Sequence, residues 1–520
     1  MSTSILHGHM SAFYWGQSYG GAESYVVAAV SVVLGKSAVA MSATAAILAA
    51  LASVACYFCA KSLCGDRLVA VLAATAVWAW PEEAVWHSTT EFGFRGVTLL
   101  CGLLCLAFAL RIDARRESLL VVLGLGLAAG VGWWSSPEIV YFLVPAGLIL
   151  LFGKTGVARR SNRHTGLSAR AVLALAAFLV GALPWLVANI SSGFASLKAS
   201  STGVPPSEQT SYLFRVGVFF KHALPQQLGL INPIRQGVVP LTGDGKWVLG
   251  THFGPVSYVV VLVLIVAMML AGLAAGGVAR LMVLGLIAFP FIYAIPLSTF
   301  FWEDGRYGPY LPVIVVVTTV AVVGELAPKR ESSFGRSEAQ GPRAAIQWLG
   351  SLAVIVAVFF GALGLHQVFG TAGFGPTKLA SNWGNPEDAL NATVDSMTSH
   401  GITVAWSGYW IANVLDEVSD GRVQVGVVGV VRQVSLQKAA LNDPRAAWIF
   451  FPAQNNLPAV QALQATAPGP LNWSLPTFEA LLKGKGIGYS TEEIGVLVAL
   501  RPDIPVTPAT LGISPSLVGG

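Results

Sequence analysis

SAVAMSATAAILAALASVACYFCA, residues 37–60, runs for 24 residues without one charged side chain. A hydrocarbon core ~30 Å thick is crossed by about 20 residues of α-helix. This stretch is long enough to span a bilayer. Outward from it, comparable runs recur at 67–80, 97–111, 118–134, 138–153, 170–191, 255–275, 280–299, 309–326 and 345–368. Across the 520 residues, 54% are hydrophobic and 11% charged, with a mean hydropathy of +0.66. An average soluble domain carries about 25% charge and cannot hide so much apolar surface. The sequence therefore predicts a polytopic α-helical membrane protein whose bundle occupies 37–368. Its net charge is only +5, and its basic residues lie in short clusters, which argues against nucleic-acid binding.

Those clusters orient the chain, because Lys and Arg concentrate in short cytoplasmic loops. They fall at Lys61 and Arg67, at Arg111, Arg115 and Arg116, from Lys154 through Arg159, Arg160, Arg163 and Arg170, at Arg280, and at Lys329, Arg330, Arg336 and Arg343. Each marks every second loop. Residues 1–36, 81–96, 135–137, 192–254, 300–308 and 369–520 are thereby expected on the extracytoplasmic face. Residues 1–36 contain no run that would carry them across, so a further helix upstream of Met1 is expected. A short span or re-entrant element at 24–34, followed by Lys36, is the alternative.

Five cysteines, Cys56, Cys59, Cys64, Cys101 and Cys105, lie in or beside apolar runs, and the Cys56–Cys59 pair reads as helix packing. Loops 1–36 and 192–254 are long. Within the second, 211–224 sets Leu213, Val216, Phe219 and Phe220 against Arg215 and Lys221, the pattern of an amphipathic helix on the membrane surface. Residues 369–385 form a linker. Over 386–504, strand-like runs (402–406, 423–431, 447–452, 494–500) alternate with helix-like ones (386–399, 409–418, 457–466, 477–483), predicting a soluble, extracytoplasmic α/β domain. Residues 505–520 read as a disordered tail.

Polar residues at the rim of a bundle are costly unless they line a wet cavity. Three clusters stand there. The first, in the opening loop, holds Tyr14, Trp15, Gln17, Tyr19 and Glu23 among glycines. An interfacial aromatic belt explains the aromatics, but not Gln17 or Glu23. The second, 80–95, holds Glu83, His87, Glu91 and Arg95; Glu91 and Arg95 are four apart and also fit a simple intrahelical ion pair. The third, 301–312, holds Glu303, Asp304, Arg306 and Tyr307 beside a span, where Arg306 is either a snorkelling anchor or a phosphate contact.

YWGQSYGGAE (14–23), EFGFR (91–95) and DGRYGPYLP (304–312) resemble the GT-C membrane glycosyltransferases, in particular the protein mannosyltransferase and aminoarabinose transferase branch. The likeness spans roughly 1–370. It implies a GT-C-like bundle that moves a sugar from a polyprenyl-phosphate donor to an extracytoplasmic acceptor, whether glycan, lipid or protein. In that family a catalytic acid lies early in the first outer loop. Here no acid precedes Glu23, so the family's carboxylate is expected upstream of Met1 or is absent, and Glu23, with Glu91, stands in as the catalytic candidate. Arg306 and Arg95 are cast as phosphate binders, Tyr307 and Tyr19 as hydrogen-bonding support, and Trp15 as a sugar platform. Tyr14, Gln17, His87, Glu303 and Asp304 complete the substrate-binding set. No ligand-spaced cluster assigns a metal or other cofactor, although a divalent cation is compatible with the chemistry. The rival readings are a non-catalytic assembly subunit and a lipid or solute transporter, the latter calling for mid-span charges and repeat symmetry that are not evident.

Overall fold

The computed structural model describes residues 1–15, 19–88, 93–115, 118–154, 164–198, 211–232, 246–297, 309–327, 359, 362, 386–428, 430–452, 474–512 and 516–517. They form two compact units, one helical and N-terminal, the other made up chiefly of the described residues from 386 onward.

The helical unit contains α1 (Gly21–Leu34), α2 (Ala38–Cys64), α3 (Arg67–Ala79), α4 (Glu82–His87), α5 (Arg95–Asp113), α6 (Leu119–Ser135), α7 (Val140–Phe152), α8 (His164–Gly181), α9 (Leu183–Ser191), α10 (Tyr212–Val218), α11 (Gly250–Ala275), α12 (Gly277–Tyr293) and α13 (Leu311–Leu326). Polar caps fix several starts. Ser37 accepts from the Ala40 N–H, Asp66 from those of Leu68 and Val69, and Ser118 from that of Val121, each satisfying a donor that a first helical turn leaves orphaned. Three described helices, Val39–Cys64, Arg95–Asp113 and Gly250–Ala275, are long and apolar enough to cross a membrane. Each predicted run from 37 to 326 overlaps helix, the run 280–299 only as far as Tyr293 with 298–299 outside the described residues; the stretch 24–34 is helical within α1, and the run 345–368 falls outside the described residues apart from 359 and 362.

The run 170–191, expected as one helix, is broken, with Ala169–Gly181 and Leu183–Ser191 meeting at 64°. Pro184 sits in the first turn of α9, where it needs no N–H but prevents α8 from continuing. Glycine sets the packing. A Cβ on Gly126 or Gly130 of α6 would lie 2.2 Å from the carbonyl oxygen of Ala174 or Phe178 on α8, and one on Gly102 would lie 2.2 Å from the Phe142 ring. These helices approach as closely as small residues allow.

The expected surface helix at 211–224 is present as α10 plus a π-turn, Phe219–Ala223, with Phe219 buried at 2% and Lys221 exposed but with Arg215 turned inward. Arg215 is 5% exposed and its Nε donates to the Ala294 carbonyl at 2.8 Å, while Leu213 is 77% and Phe214 54% exposed. A backbone carbonyl left open at the end of α12 draws the guanidinium inward, beside the buried Val218 and Phe219.

In the C-terminal unit, β1 (Val404–Gly408), β2 (Gln424–Val428), β3 (Ala447–Phe450), β4 (Tyr489–Ile494) and β5 (Leu497–Pro502) form one sheet in the order β2-β1-β3-β5-β4. The first three are parallel and the last two run antiparallel. Alternation along the strands serves two cores. Ala405, Ala447 and Ile449 face a cluster with Leu415 of Tyr409–Ser419, and Trp406, Trp448 and Phe450 face one with Phe478 of Leu475–Gly484. Helices therefore cover both faces, as parallel strands require. The sequence missed Val434–Asn442 as a helix and Tyr489–Ile494 as a strand, and the expected helix 457–466 lies outside the described residues. The expected disordered tail is corrected in part. Val506 and Leu511 are buried at 5% and 8% in the Phe478 core, since two apolar side chains near an open core edge gain more from burial than the segment loses in entropy.

Candidate functional site

At one end of the helical unit, the beginnings of α1, α5, α7 and α13 converge with the end of α3 and with α4. The opening loop is fastened there. The indole Nε1 of Trp134 donates to the Ala12 carbonyl at 2.6 Å, and the Tyr25 hydroxyl to that of Ser11 at 3.0 Å. Gly20 takes φ +89° as the residue preceding α1, a left-handed conformation that glycine adopts without penalty. Tyr19 packs edge-on against Phe94 with ring centroids 5.0 Å apart. These contacts place Glu23, in the first turn of α1, beneath the start of α5.

Glu23 is 2% exposed, and its Oε2 accepts the Val97 N–H at 2.9 Å, 74 residues away. A carboxylate at a helix N-terminus is favoured by the orphaned N–H groups and the helix dipole. Gly96 permits the approach. A Cβ there would stand 2.8 Å from Leu48 Cδ1 and 3.2 Å from Glu23 Oε1.

Arg95 opens α5. Its Nη2 lies 3.6 Å from Glu138 Oε1, with 10% and 16% of the two side chains exposed. The other oxygen of Glu138, Oε2, accepts the Tyr310 hydroxyl at 2.8 Å. One carboxylate thus joins the beginnings of α5, α7 and α13. Glu138 belongs to the 3-10 turn Pro137–Ile139 that leads into α7, its N–H bound by Ser136 Oγ.

Glu23, Arg95 and Tyr310 border a pocket of about 70 Å³. Glu23, His87, Arg95 and Tyr310 form its polar side, and Ala45, Ala49, Leu99 and Val313 its apolar side. Trp78 and Trp80 also line it, and the Trp78 Nε1 donates to Ser88 Oγ at 3.0 Å. Burial pushes the His87 imidazole down to about 3, with the nearby Arg95 charge acting the same way. His87 is neutral at physiological pH and offers a hydrogen bond without a charge.

Of the predicted residues, Glu23, His87 and Arg95 come together. Tyr19 supports α5 through Phe94 and does not line the pocket. Tyr14, whose N–H donates to the Tyr19 carbonyl, is 36% exposed, and Trp15 lies in a turn; neither lines the pocket. Gln17, Glu91, Glu303, Asp304, Arg306 and Tyr307 lie outside the described residues, as does the Glu83 side chain. Among the described residues no group of three His, Cys, Asp or Glu side chains converges to hold a metal ion. Sequence reasoning missed Glu138, Trp78 and Tyr310 as site residues. A lone acid between Pro137 and an apolar run was the available signal for Glu138.

No family profile and no curated sequence matches the chain. Among solved structures, the fold is similar to ArnT from Cupriavidus metallidurans in the apo state, with a TM-score of 0.55 at 13% identity over 99% of this chain and 93% of that one. The same protein bound to undecaprenyl phosphate aligns with a TM-score of 0.48 at 13% identity over 92% and 87%. An oligosaccharyltransferase from Archaeoglobus fulgidus, tethered to an acceptor peptide, aligns with a TM-score of 0.43 at 14% identity over 90% and 66%. The chain shares its overall fold with the apo ArnT structure.

Proposed function

We propose that this GT-C fold carries out glycosyl transfer from a polyprenyl-phosphate sugar to an extracytoplasmic acceptor. The observation that carries the reading is the amphiphilic pocket, with Arg95 and Tyr310 on one side and small apolar side chains of three helices on the other. Such a pocket fits a phosphate attached to a hydrocarbon chain. About 70 Å³ is two to three waters' share at ~30 Å³ each. That is room for the phosphate, with the sugar expected beside Trp78 and Trp80, which line the same pocket.

In the proposed reaction an acceptor hydroxyl oxygen attacks the anomeric carbon, and the bond from that carbon to the phosphate oxygen breaks. The phosphate leaves with the bonding pair. Arg95 stabilises the charge gathering on it, and neutral His87 supplies a hydrogen bond. The proton of the acceptor passes to a carboxylate, a role that falls to Glu23 because it lines the pocket. Glu138 stands behind Arg95 and Tyr310 and positions both. Glu91, Glu303, Asp304, Arg306 and Tyr307 remain proposed contacts from the segments 89–92 and 298–308.

Release of sugar from a radiolabelled polyprenyl-phosphate donor by the full chain in proteoliposomes tests this. Arg95→Ala is expected to lower kcat/KM by about 10²-fold or more, the usual effect of removing one electrostatic donor from a developing anion. Unchanged turnover in that variant removes Arg95 from the chemistry. Failure of the unmodified protein to bind any polyprenyl phosphate overturns the reading itself.

A further inference from the structure

A second cavity, of about 300 Å³, lies where α7 ends and α12 begins, bordered by Phe152, Lys154, Gly277, Val278 and Arg280. Because Glu138 sits in the turn that leads into α7 and Phe152 ends that helix, this cavity is at the opposite end of α7 from Arg95. It belongs to no part of the proposed reaction.

Its charges are particular. Arg280 Nε donates to the Leu273 carbonyl at 3.0 Å, which aims the guanidinium and leaves its other N–H groups for a ligand. Neither Arg280 nor Lys154 forms an ion pair among the described residues. Two acids stand nearby and are otherwise engaged. Glu325 Oε1 accepts the Val278 N–H at 3.4 Å and closes the start of α12, and Asp113 lies buried against Gly153. The helix terminus is thus already capped, and the remaining pull on an anion comes from the two basic side chains. Beside them Leu151 and Phe152 are 47% and 53% exposed. A soluble anion gains nothing from those apolar groups, whereas an amphiphile uses both.

We propose that this cavity binds the phosphodiester headgroup of an anionic glycerophospholipid, with Arg280 and Lys154 on the phosphate and the acyl chains along Leu151 and Phe152. The alternation of basic loops puts this end at the cytoplasmic leaflet, where anionic lipid concentrates, and basic pockets between spanning helices there suit such headgroups. About 300 Å³ is on the order of ten waters' share, ample for a phosphate and a glycerol.

The experiment is native mass spectrometry of the full chain released from nanodiscs of phosphatidylglycerol mixed with phosphatidylcholine, with binding constants from titration of each lipid. Phosphatidylglycerol is expected to be retained in preference to phosphatidylcholine, and the double variant Lys154→Gln, Arg280→Gln to lose that preference by roughly 10- to 30-fold, from about 1 kcal/mol for each basic side chain. Both side chains reach the surface, so the variant is expected to fold, and matched melting with the unmodified protein checks this. An unchanged preference in the double variant overturns the proposal. So does displacement of the lipid by millimolar inorganic phosphate with equal stabilisation, which identifies a free-phosphate site instead. The Arg95→Ala protein keeps the preference if the two sites are separate, so the outcome does not depend on the proposed transfer reaction.

Discussion

Glu138 is held to Arg95 by charge and to Tyr310 by a hydrogen bond, and the two contacts respond differently to Glu138→Gln. The amide oxygen still accepts from Tyr310, but the charge facing Arg95 is gone. A donor phosphate then meets a guanidinium with no competing carboxylate. We expect KM for the donor not to rise while kcat falls by about tenfold, the scale of ~1.4 kcal/mol in the barrier, because Arg95 loses the anchor that aims it. Steady-state kinetics across donor concentrations separate the two effects, and a raised KM with unchanged kcat contradicts the positioning role. His87 makes a prediction about pH. Its folded pKa is about 3 against ~6.5 unfolded, so between these values the unfolded chain binds a proton that the folded chain refuses. Stability from this group is full above pH ~6.5 and declines as pH falls toward 3, by up to about 1.4 kcal/mol per pH unit. Thermal melting of the detergent-solubilised protein from pH 7.5 to 4.5 should show a smaller decline in His87→Gln.

Helix packing supplies the next scale. Gly126 and Gly130 let α6 rest on the backbone of α8, and a Cβ at either would meet a carbonyl oxygen at 2.2 Å. A backbone atom cannot swing aside as a side-chain tip can. Gly130→Val is therefore expected to destabilise the helical unit by about 1–3 kcal/mol, the range for overpacking, read as a lowered midpoint of unfolding in detergent. Gly147, with open space around its Cβ position, is the control: Gly147→Ala is expected to leave that midpoint within a degree or two, as a surface change does. The inward turn of Arg215 on α10 belongs to this scale as well. The apolar positions of that helix were readable in the sequence, but amphipathicity alone does not say which face meets the protein. The open carbonyl of Ala294 gave Arg215 an inward partner, and that decided it.

The whole molecule divides its labour between two units. All the residues lining the Arg95 pocket belong to the helical one, while the C-terminal sheet has its own cores, in which Trp406 and Trp448 stack at 6.0 Å and Trp448 meets Phe478 at 4.4 Å. Phe478→Ala is expected to destabilise the C-terminal unit by about 3–5 kcal/mol while polyprenyl-phosphate binding stays measurable. Hydrogen exchange resolved by segment distinguishes loss confined to 386–512 from collapse of both units.

By itself the sequence determined the apolar helices, the mixed α/β character of the C-terminal unit, and Glu23, His87 and Arg95 as polar residues at or near helix ends. These follow from local rules, because a run of apolar residues, a strand alternation or a polar residue at a helix end is written within a few turns of chain. Only the tertiary structure decided that Glu138 meets Tyr310 across 172 residues, that Trp78 rather than Trp15 lines the pocket, that the run 170–191 bends, and that Arg215 turns inward. Those outcomes depend on which helix ends arrive together. Their arrival is set by packing of helix on helix, where glycines such as Gly96 and Gly130 allow approaches that no periodicity within one helix encodes.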